Sequence, residues 1–593
     1  MMYPISNRTA LVMAVIATVM MTYTQASINT DVLKTLEKEG KAQVIVEFKG
    51  SNKQALRDVD NVIDSINARS DRISLIKDSL VKISSKAQAG VKTLLSETNG
   101  RVSLEVEGST RSESFWISNQ MFIETSSKSL LEKIDALPEV TTIRLQVVAQ
   151  LSIEPEVALA SNFTAVNEWG VNIIQAPAVW ATGNNGKGVV VSSIDTGVRS
   201  THEALKNNFR TDHGWFDPYD KTATPADTHG HGTHTMGSMV GTTGIGVAPG
   251  AQWIACKGCD GKKGCTEEAL LSCAQFILCP TDATGQDAQC AKAPHVVNNS
   301  WGGSSPGESW YQAAVDAWRK AGIIPVFANG NDGSDCSTVR SPGDYVNVIG
   351  VGATGSDDKL AYFSSRGPAP NNLLKPDVSA PGYNVRSAKN TGDTEYQTMS
   401  GTSMAAPHVT GAVALIVSAN PGISYDAVYQ LFIKNIDTDS LTSDNANCGG
   451  VSDKQYPNNN YGYGRINVKK VLNSNPTTKP VPTTTPTPTP TTTLTPTTTS
   501  TPTTKPTPTP KPTPTSTLKP TTKSPKTKTP KPTTPTPTTK TPPSACSCTY
   551  GDACSDDGVC RGGCLTDYFG FGDCSREEFG EAECKDWGYT WCN

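Results

Sequence analysis

Three short stretches carry side chains able to do chemistry. Val191-Ser192-Ser193-Ile194-Asp195-Thr196-Gly197 sets a carboxylate where an apolar strand ends, the place where open α/β sheets assemble their active sites. Asp195 also suits a turn or a helix cap there. His229-Gly230-His231-Gly232-Thr233-His234-Thr235-Met236-Gly237 gathers three of the seven histidines within six residues. That density invites a metal, yet the spacing is not the His-Glu-x-x-His of zinc peptidases and no acidic residue interrupts the run. Its glycines point instead to close backbone approach at a helix start. In Thr398-Met399-Ser400-Gly401-Thr402-Ser403-Met404-Ala405-Ala406-Pro407-His408, Gly401 permits a tight turn and Ser403 opens an apolar helix running to about Ala419, with Pro407 in its first turn. Free N–H groups and the positive dipole end at that terminus favour an oxyanion beside Ser403, although a serine there also serves as a plain cap.

The elements that must hold these stretches belong to a chain of 593 residues, too long for one core, since single domains stop growing near ~250–300 residues. Residues 161–474 alternate helices and Gly-rich turns with short apolar strands such as Val189 to Ile194 and Ile323 to Phe327. Strands of this kind lie inside a parallel sheet covered on both faces, which predicts an α/β domain. Residues 27–160 contain no cysteine and read differently. Strands are predicted at Ala42 to Phe48, Val102 to Glu107 and Thr142 to Val148, with amphipathic helices from Ile73 to Leu95 and from Ser129 to Leu137, a small α+β domain. The stretch from Pro476 to Ser544 is almost entirely Thr, Pro and Lys, cannot bury a core and stays extended, so that residues 475–545 form a linker. At ~3.1 Å per residue it could hold two modules on the order of 200 Å apart. Its dense Thr and Pro suggest O-glycosylation.

Arg8 precedes an apolar run from Ala10 to Met21, and Thr24-Gln25-Ala26 offers small residues for cleavage. Residues 1–26 thus read as a signal peptide, too short to span a bilayer comfortably, and the product is expected outside the cell, free of the membrane once the signal is removed. Sixteen cysteines, eight of them in the last forty-eight residues, fit disulfides formed in an oxidising compartment. The formal charge is -4, but nine lysines and no acidic residue fall between Pro476 and Ser544, leaving -13 for the rest. An acidic folded part gives no hint of nucleic acid as a partner.

Asp-Thr-Gly at 195–197, His-Gly-Thr-His at 231–234 and Gly-Thr-Ser-Met-Ala at 401–405, in that order, resemble the subtilisin-like serine peptidases; chymotrypsin-like and α/β-hydrolase enzymes carry their triads in other orders. Glu168-Trp169-Gly170-Val171, Val296-Val297-Asn298-Asn299-Ser300-Trp301-Gly302-Gly303 and Tyr461-Gly462-Tyr463-Gly464 bring the chain nearest to the bacillopeptidase F type. The resemblance implies a doubly wound, mainly parallel sheet and a serine endopeptidase acting on proteins and peptides. A serine hydroxyl is a poor nucleophile until a base removes its proton, so His231 accepts the proton of Ser403 and delivers it to the leaving amine, while Asp195 fixes the imidazole tautomer. Ala328-Asn329-Gly330-Asn331 aligns with the family's Ala-Ala-Gly-Asn, which assigns an oxyanion donor to Asn331. By the same comparison Ser300-Trp301-Gly302 and Ala328-Asn329-Gly330 form two walls that hold the substrate as an added strand and enclose the side chain before the cut. Asn329 replaces a small residue and alters that pocket. Trp301 either lines the substrate or packs in the core, and Asp332 either stands at the rim favouring basic residues or is simply solvated.

The resemblance also makes 27–160 an inhibitory propeptide and the chain a zymogen that cuts itself between about Gln150 and Asn162. No metal or other cofactor is implied. The family's calcium loop is missing, because Thr242 to Pro249 is short and offers no acidic or Asn ligand, and calcium elsewhere is not indicated. Cys256, Cys259, Cys265, Cys273, Cys279, Cys290, Cys336 and Cys448 can form four bridges whose connectivity stays open. Asn162-Phe163-Thr164 is a glycosylation sequon, whereas Asn298-Asn299-Ser300 matches the pattern inside an apolar strand and is expected to be buried. Residues 546–593 combine eight cysteines with more aromatic rings than so small a core can hide, which suggests polysaccharide or cell-wall contact as readily as a stable cap. An inactive homologue acting as a wall-binding or adhesive protein is the competing reading, and the intact Asp195, His231, Ser403 and Asn331 speak against it.

Overall fold

The computed structural model describes residues 27–50, 52–101, 110–151 and 167–474, together with Asp552–Cys554 and Cys560–Gly562, two short strands paired antiparallel. The predicted signal peptide, the sequon at Asn162, the strand predicted from Val102 to Glu107, the linker and most of the Cys-rich module lie outside the described residues.

Residues 27–145 build a five-stranded sheet from β1 (Ser27–Ile28), β2 (Ala42–Phe48), β3 (Arg111–Phe115), β4 (Gln120–Thr125) and β5 (Val140–Leu145), in the order β1-β5-β2-β4-β3. The β-branched run of β2 sits centrally, with Val44 opposite both Ile123 and Leu145. The helix predicted from Ile73 to Leu95 is broken in two, α1 (Arg69–Ala87) and α2 (Ala89–Arg101). The break falls at buried Gln88, whose amide nitrogen donates to Gln120 O at 3.2 Å and whose carbonyl accepts from Ser114 Oγ. The Gln88 backbone keeps its helical hydrogen bonds, Gln88 N to Ser84 O at 2.9 Å and Lys92 N to Gln88 O at 3.0 Å, so the two helices join without loss of pairing. The second helix, α3 (Lys128–Asp135), starts at Ser127, whose hydroxyl accepts from Leu130 N at 3.1 Å.

The larger α/β region contains β7 (Val190–Asp195), β8 (Trp215–Phe216), β9 (Gln252–Lys257), β10 (Cys265–Thr266), β11 (Val296–Asn299), β12 (Trp301–Gly302), β13 (Ile324–Ala328), β14 (Ile349–Thr354) and β15 (Val378–Pro381), with β6 (Val148–Leu151) preceding them in the chain. Its main sheet runs Ile436–Asp437, Arg465–Ile466, β15, β14, β13, β11, β7, β9, β8, and every neighbouring pair is parallel except the first. The chain passes from β7 to β9 on one side and returns to β11 on the other, so the winding reverses at β7, where ligand crevices open in such sheets. Helices α4 (His231–Val240) and α7 (Thr402–Ala419) cover one face through Met236, Met239, Val409, Val413 and Ile416, and α5 (Glu267–Leu278) and α6 (Gln312–Lys320) the other through Leu270, Phe276, Val315 and Trp318.

The predicted strand from Thr142 to Val148 also divides. After β5 the chain leaves its own sheet, and β6 lies antiparallel between β10 and β12, with Ala149 opposite Cys265, Gln150 opposite Gly302 and Leu151 opposite Trp301. Glu267 diverts it. This fully buried carboxylate accepts from Arg144 Nη1 and Nη2 at 2.7 Å and from Val147 N at 2.9 Å, binding the turn between β5 and β6 to the start of α5.

Candidate active site

The winding of the sheet puts Asp195 at the carboxyl end of β7, fully buried. One carboxylate oxygen accepts from Thr196 N at 2.7 Å and stands 2.6 Å from His231 Nδ1; the other accepts from Thr235 Oγ at 3.1 Å. His231 is the first residue of α4, and the tight packing that its glycines implied is real: a Cβ on Gly232 would lie 2.1 Å from Gly197 O. Gly230, with φ 105°, makes the turn into the helix. The loop before it is fastened by Asp227, whose carboxylate accepts from Thr196 Oγ, His229 N, Gly230 N, Thr233 N and Thr233 Oγ. Asp227 therefore caps α4 and holds the segments carrying Asp195 and His231 together. An acidic residue just before a helix start was the available signal for it.

The histidine cluster separates. His234 is fully buried with Nε2 2.9 Å from Val385 O, and burial pushes its imidazole down to about 3. His408 on α7 is likewise pushed down to about 4 by burial. The Nδ1 of His295 accepts from Val190 N at 3.1 Å, which requires that nitrogen unprotonated, and burial brings this ring to about 4 as well.

Ser403 is the second residue of α7. Its hydroxyl donates to Ser300 O at 3.0 Å, and Ser300 Oγ donates back to Ser403 O at 3.0 Å. Pro407, expected in the first turn, lies deeper in the helix. Having no N–H, it leaves the carbonyl of Ser403 without its usual partner four residues on, and Ser300 fills the vacancy. His231 Nε2 is buried and makes no hydrogen bond in this arrangement.

Asn331 Oδ1 accepts from Thr402 N at 2.9 Å and from Thr402 Oγ at 2.8 Å. A backbone amide can only donate, which fixes the orientation of the side chain and leaves Nδ2, buried and unpartnered, as a donor. The N–H of Ser403 belongs to the same first turn, whose amides have no acceptor within the helix. Thr402 is a positioning residue that the sequence motif contained without marking.

The residues expected to form two walls lie just beyond neighbouring strands. Ser300, Trp301 and Gly302 follow β11, Ala328 ends β13, and Asn329 and Gly330 follow it. The side chain of Trp301 does not line a substrate channel. It is fully buried, donates from Nε1 to Ile194 O at 3.1 Å and packs against Trp310, Tyr311 and Phe327, while its backbone pairs with Leu151. Asn329 is also buried and donates to Ser365 O at 2.9 Å. Asp332 is neither solvated alone nor free to attract a basic residue, because Arg340 pairs with it through Nε and Nη2, both at 2.6 Å. Asn298 is buried, donating to Ser300 Oγ at 2.9 Å, as its place in a strand implied.

All eight central cysteines are paired, 256 with 273, 259 with 265, 279 with 290 and 336 with 448. Cys259 N also donates to Asp195 O at 3.1 Å, so the 259–265 bridge connects the end of β7 to β10, the edge on which β6 lies.

A serine at a helix N-terminus, a buried carboxylate–imidazole pair and an unpartnered amide beside a strand-binding edge define a nucleophilic hydrolase site. Comparison with known proteins agrees. The subtilase family pattern matches residues 186–464, and the chain is 37% identical over 262 residues to Subtilisin BL of Lederbergia lenta, covering 43% of this chain and 86% of that protein. The chain belongs to the subtilase family of subtilisin-like serine peptidases. It is 38% identical over 383 residues to Bacillopeptidase F of Bacillus subtilis, covering 60% of this chain but 26% of that longer protein. With Subtilisin-like protease 1 of Arthroderma otae it shares 38% identity over 259 residues, 44% of this chain and 48% of the relative.

Proposed function

We propose that this chain is a secreted endopeptidase, made as a zymogen, that hydrolyses internal peptide bonds of proteins through an acyl-enzyme on Ser403. The observation that carries the reading is β6: a segment of the chain itself lies antiparallel on β12, which begins at the residue after Ser300, whose carbonyl holds the Ser403 hydroxyl. A bound polypeptide would take the same place by strand addition. Rotation of the Ser403 side chain away from Ser300 offers its proton to His231 Nε2. The oxygen then attacks the scissile carbonyl carbon, the carbonyl electron pair moves to oxygen, and Asn331 Nδ2 with the Ser403 N–H receives the charge. His231 returns the proton to the departing amine, and water, activated by the same imidazole, releases the acyl group.

Residues 27–151 act as the inhibitor in this scheme, since β6 occupies the edge that substrate needs. The four disulfides and the N-terminal Arg8-to-Ala26 pattern support export. Residues 546–593 would add a polysaccharide or cell-wall anchor; retention of the full chain, but not of a chain ending at residue 545, on cellulose, chitin or whole walls tests it. For the peptidase itself, purified protein is incubated with denatured casein. Fragments that fail to appear with Ser403→Ala support the reading, and equal fragmentation by that variant overturns it.

A further inference from the structure

A peptide added as a strand on β12, where β6 now lies, runs beside Ser300–Gly302, and the family resemblance places the side chain before the cut between that wall and Ala328–Gly330. The floor joining these walls is the segment Arg340–Ser341. Arg340 N donates to Asn329 O at 3.1 Å, and Gly303 N donates to Ser341 O at 2.7 Å. From that floor the Arg340 side chain rises between the two glycines. A Cβ placed on Gly302 would lie 3.1 Å from Arg340 Cβ, and one on Gly330 would lie 2.8 Å from Arg340 Cγ. At its tip the guanidinium is gripped with two 2.6 Å hydrogen bonds by Asp332, in the loop after β13 that also supplies Asn331. Alkyl carbons thus fill the space an aromatic ring would need, and the charge at the tip is already met by a carboxylate.

We infer that Arg340, braced by Asp332, sets the primary specificity of this peptidase, restricting the residue before the cut to small uncharged side chains such as alanine or serine. The inference rests on the peptidase reading and deepens it. Seating a bulky ring costs the displacement of Arg340 from a two-point ion pair, and a charged side chain meets a group whose partner is already in place. Pocket contacts of this size change selectivity by roughly tenfold or more.

The test uses the full-length chain, allowed to mature, with quenched-fluorescent peptides that differ only at the residue before the cut: Ala, Ser, Phe, Glu and Lys. The expected kcat/KM is at least about tenfold higher for Ala and Ser than for Phe, Glu and Lys. Arg340→Gly should raise the Phe/Ala ratio by about tenfold or more, and Asp332→Asn, which frees the guanidinium, should raise the Glu/Ala ratio. The proposal fails if the unaltered protein cleaves Phe as well as Ala, a measurement that needs no variant to fold, or if Arg340→Gly leaves the Phe/Ala ratio within about twofold. Cleavage of none of the five peptides would overturn the peptidase reading itself, and the pocket assignment with it.

Discussion

The catalytic groups and the surface that receives residues 27–151 are fastened by different chemistry. Asp195 is held by Thr196 N and Thr235 Oγ, Asn331 by Thr402 N and Oγ, and Ser403 by Ser300, all neutral donors or acceptors from within the same region. The docked segment adds ions to the pairing of β6 and to the packing of Ile73, Ile76 and Phe115 in one apolar cluster with Leu270 and Phe276: Arg144 on Glu267, Arg111 on Glu268, Lys320 on Asp60, and Arg69 on the carbonyls of Ala293 and Pro294 at 3.0 and 2.6 Å. A buried neutral hydrogen bond is expensive to leave unmade, whereas ions released to the surface recover their hydration. The groups around Ser403 are positioned by neutral hydrogen bonds, whereas the contacts with residues 27–151 add ion pairs.

Removing the nucleophile breaks that comparison hardest. Ser403→Ala should lower peptide hydrolysis by ~10³-fold or more and, on the proposal that one hydroxyl performs both cuts, leave residues 27–160 attached. Normal maturation of this variant with no helper protease, seen by sequencing its N-terminus, would refute self-processing. Next in size, Asn331→Ala should lower kcat by roughly 10²–10³ with little change in KM, since the amide is engaged only as charge develops on the oxygen. Steady-state kinetics decide it, and an unchanged kcat would remove Asn331 from the site. Arg144→Met should weaken inhibition by the cleaved segment roughly 30-fold, about 2 kcal/mol, by leaving Glu267 covered without its cation. Inhibition titrations on matured enzyme measure this, and equal potency of both segments would mean that the ion pair contributes nothing to docking.

The smallest effect at neutral pH concerns stability. His234, His408 and His295 are held neutral, at about 3, 4 and 4, below the ~6.5 of an unfolded chain. The unfolded state therefore binds more protons, so their contribution is complete above pH ~6.5 and is lost as pH falls toward 4. Urea midpoints should drop over that window. A midpoint unchanged between pH 7 and 4.5 would show that these rings do not stay neutral when folded.

Motifs read well where the chemistry is local. Asp195, His231, Ser403 and Asn331 each sit in a short run whose turn glycines and helix start are written beside them, and the structure pairs Asp195 with His231 and sets Asn331 against Thr402, the neighbour of Ser403. Long-range partners were not legible. Nothing adjacent to Gln88 indicates that it reaches Gln120, nor does the alternating pattern from Thr142 to Val148 reveal that Glu267, over a hundred residues later, will divert it. Trp301 misleads for a related reason: a strand residue beside the cleft has two faces, and only the packed structure shows the ring turned toward Phe327 while the backbone faces outward. The four disulfides close loops of 6 to 112 residues, a range that spacing alone does not order.

For anyone engineering this enzyme, Pro407 is the residue to leave alone. A proline inside a helix ordinarily costs ~3 kcal/mol, so a stabilisation campaign would exchange it for alanine early. Here that exchange would restore an N–H aimed at the Ser403 carbonyl, compete with the Ser300 hydroxyl that now occupies it, and slacken the mutual clasp that keeps the nucleophile beside the substrate edge. Thermal tolerance would rise while turnover fell, a trade in which the irregular turn of α7 is the working part.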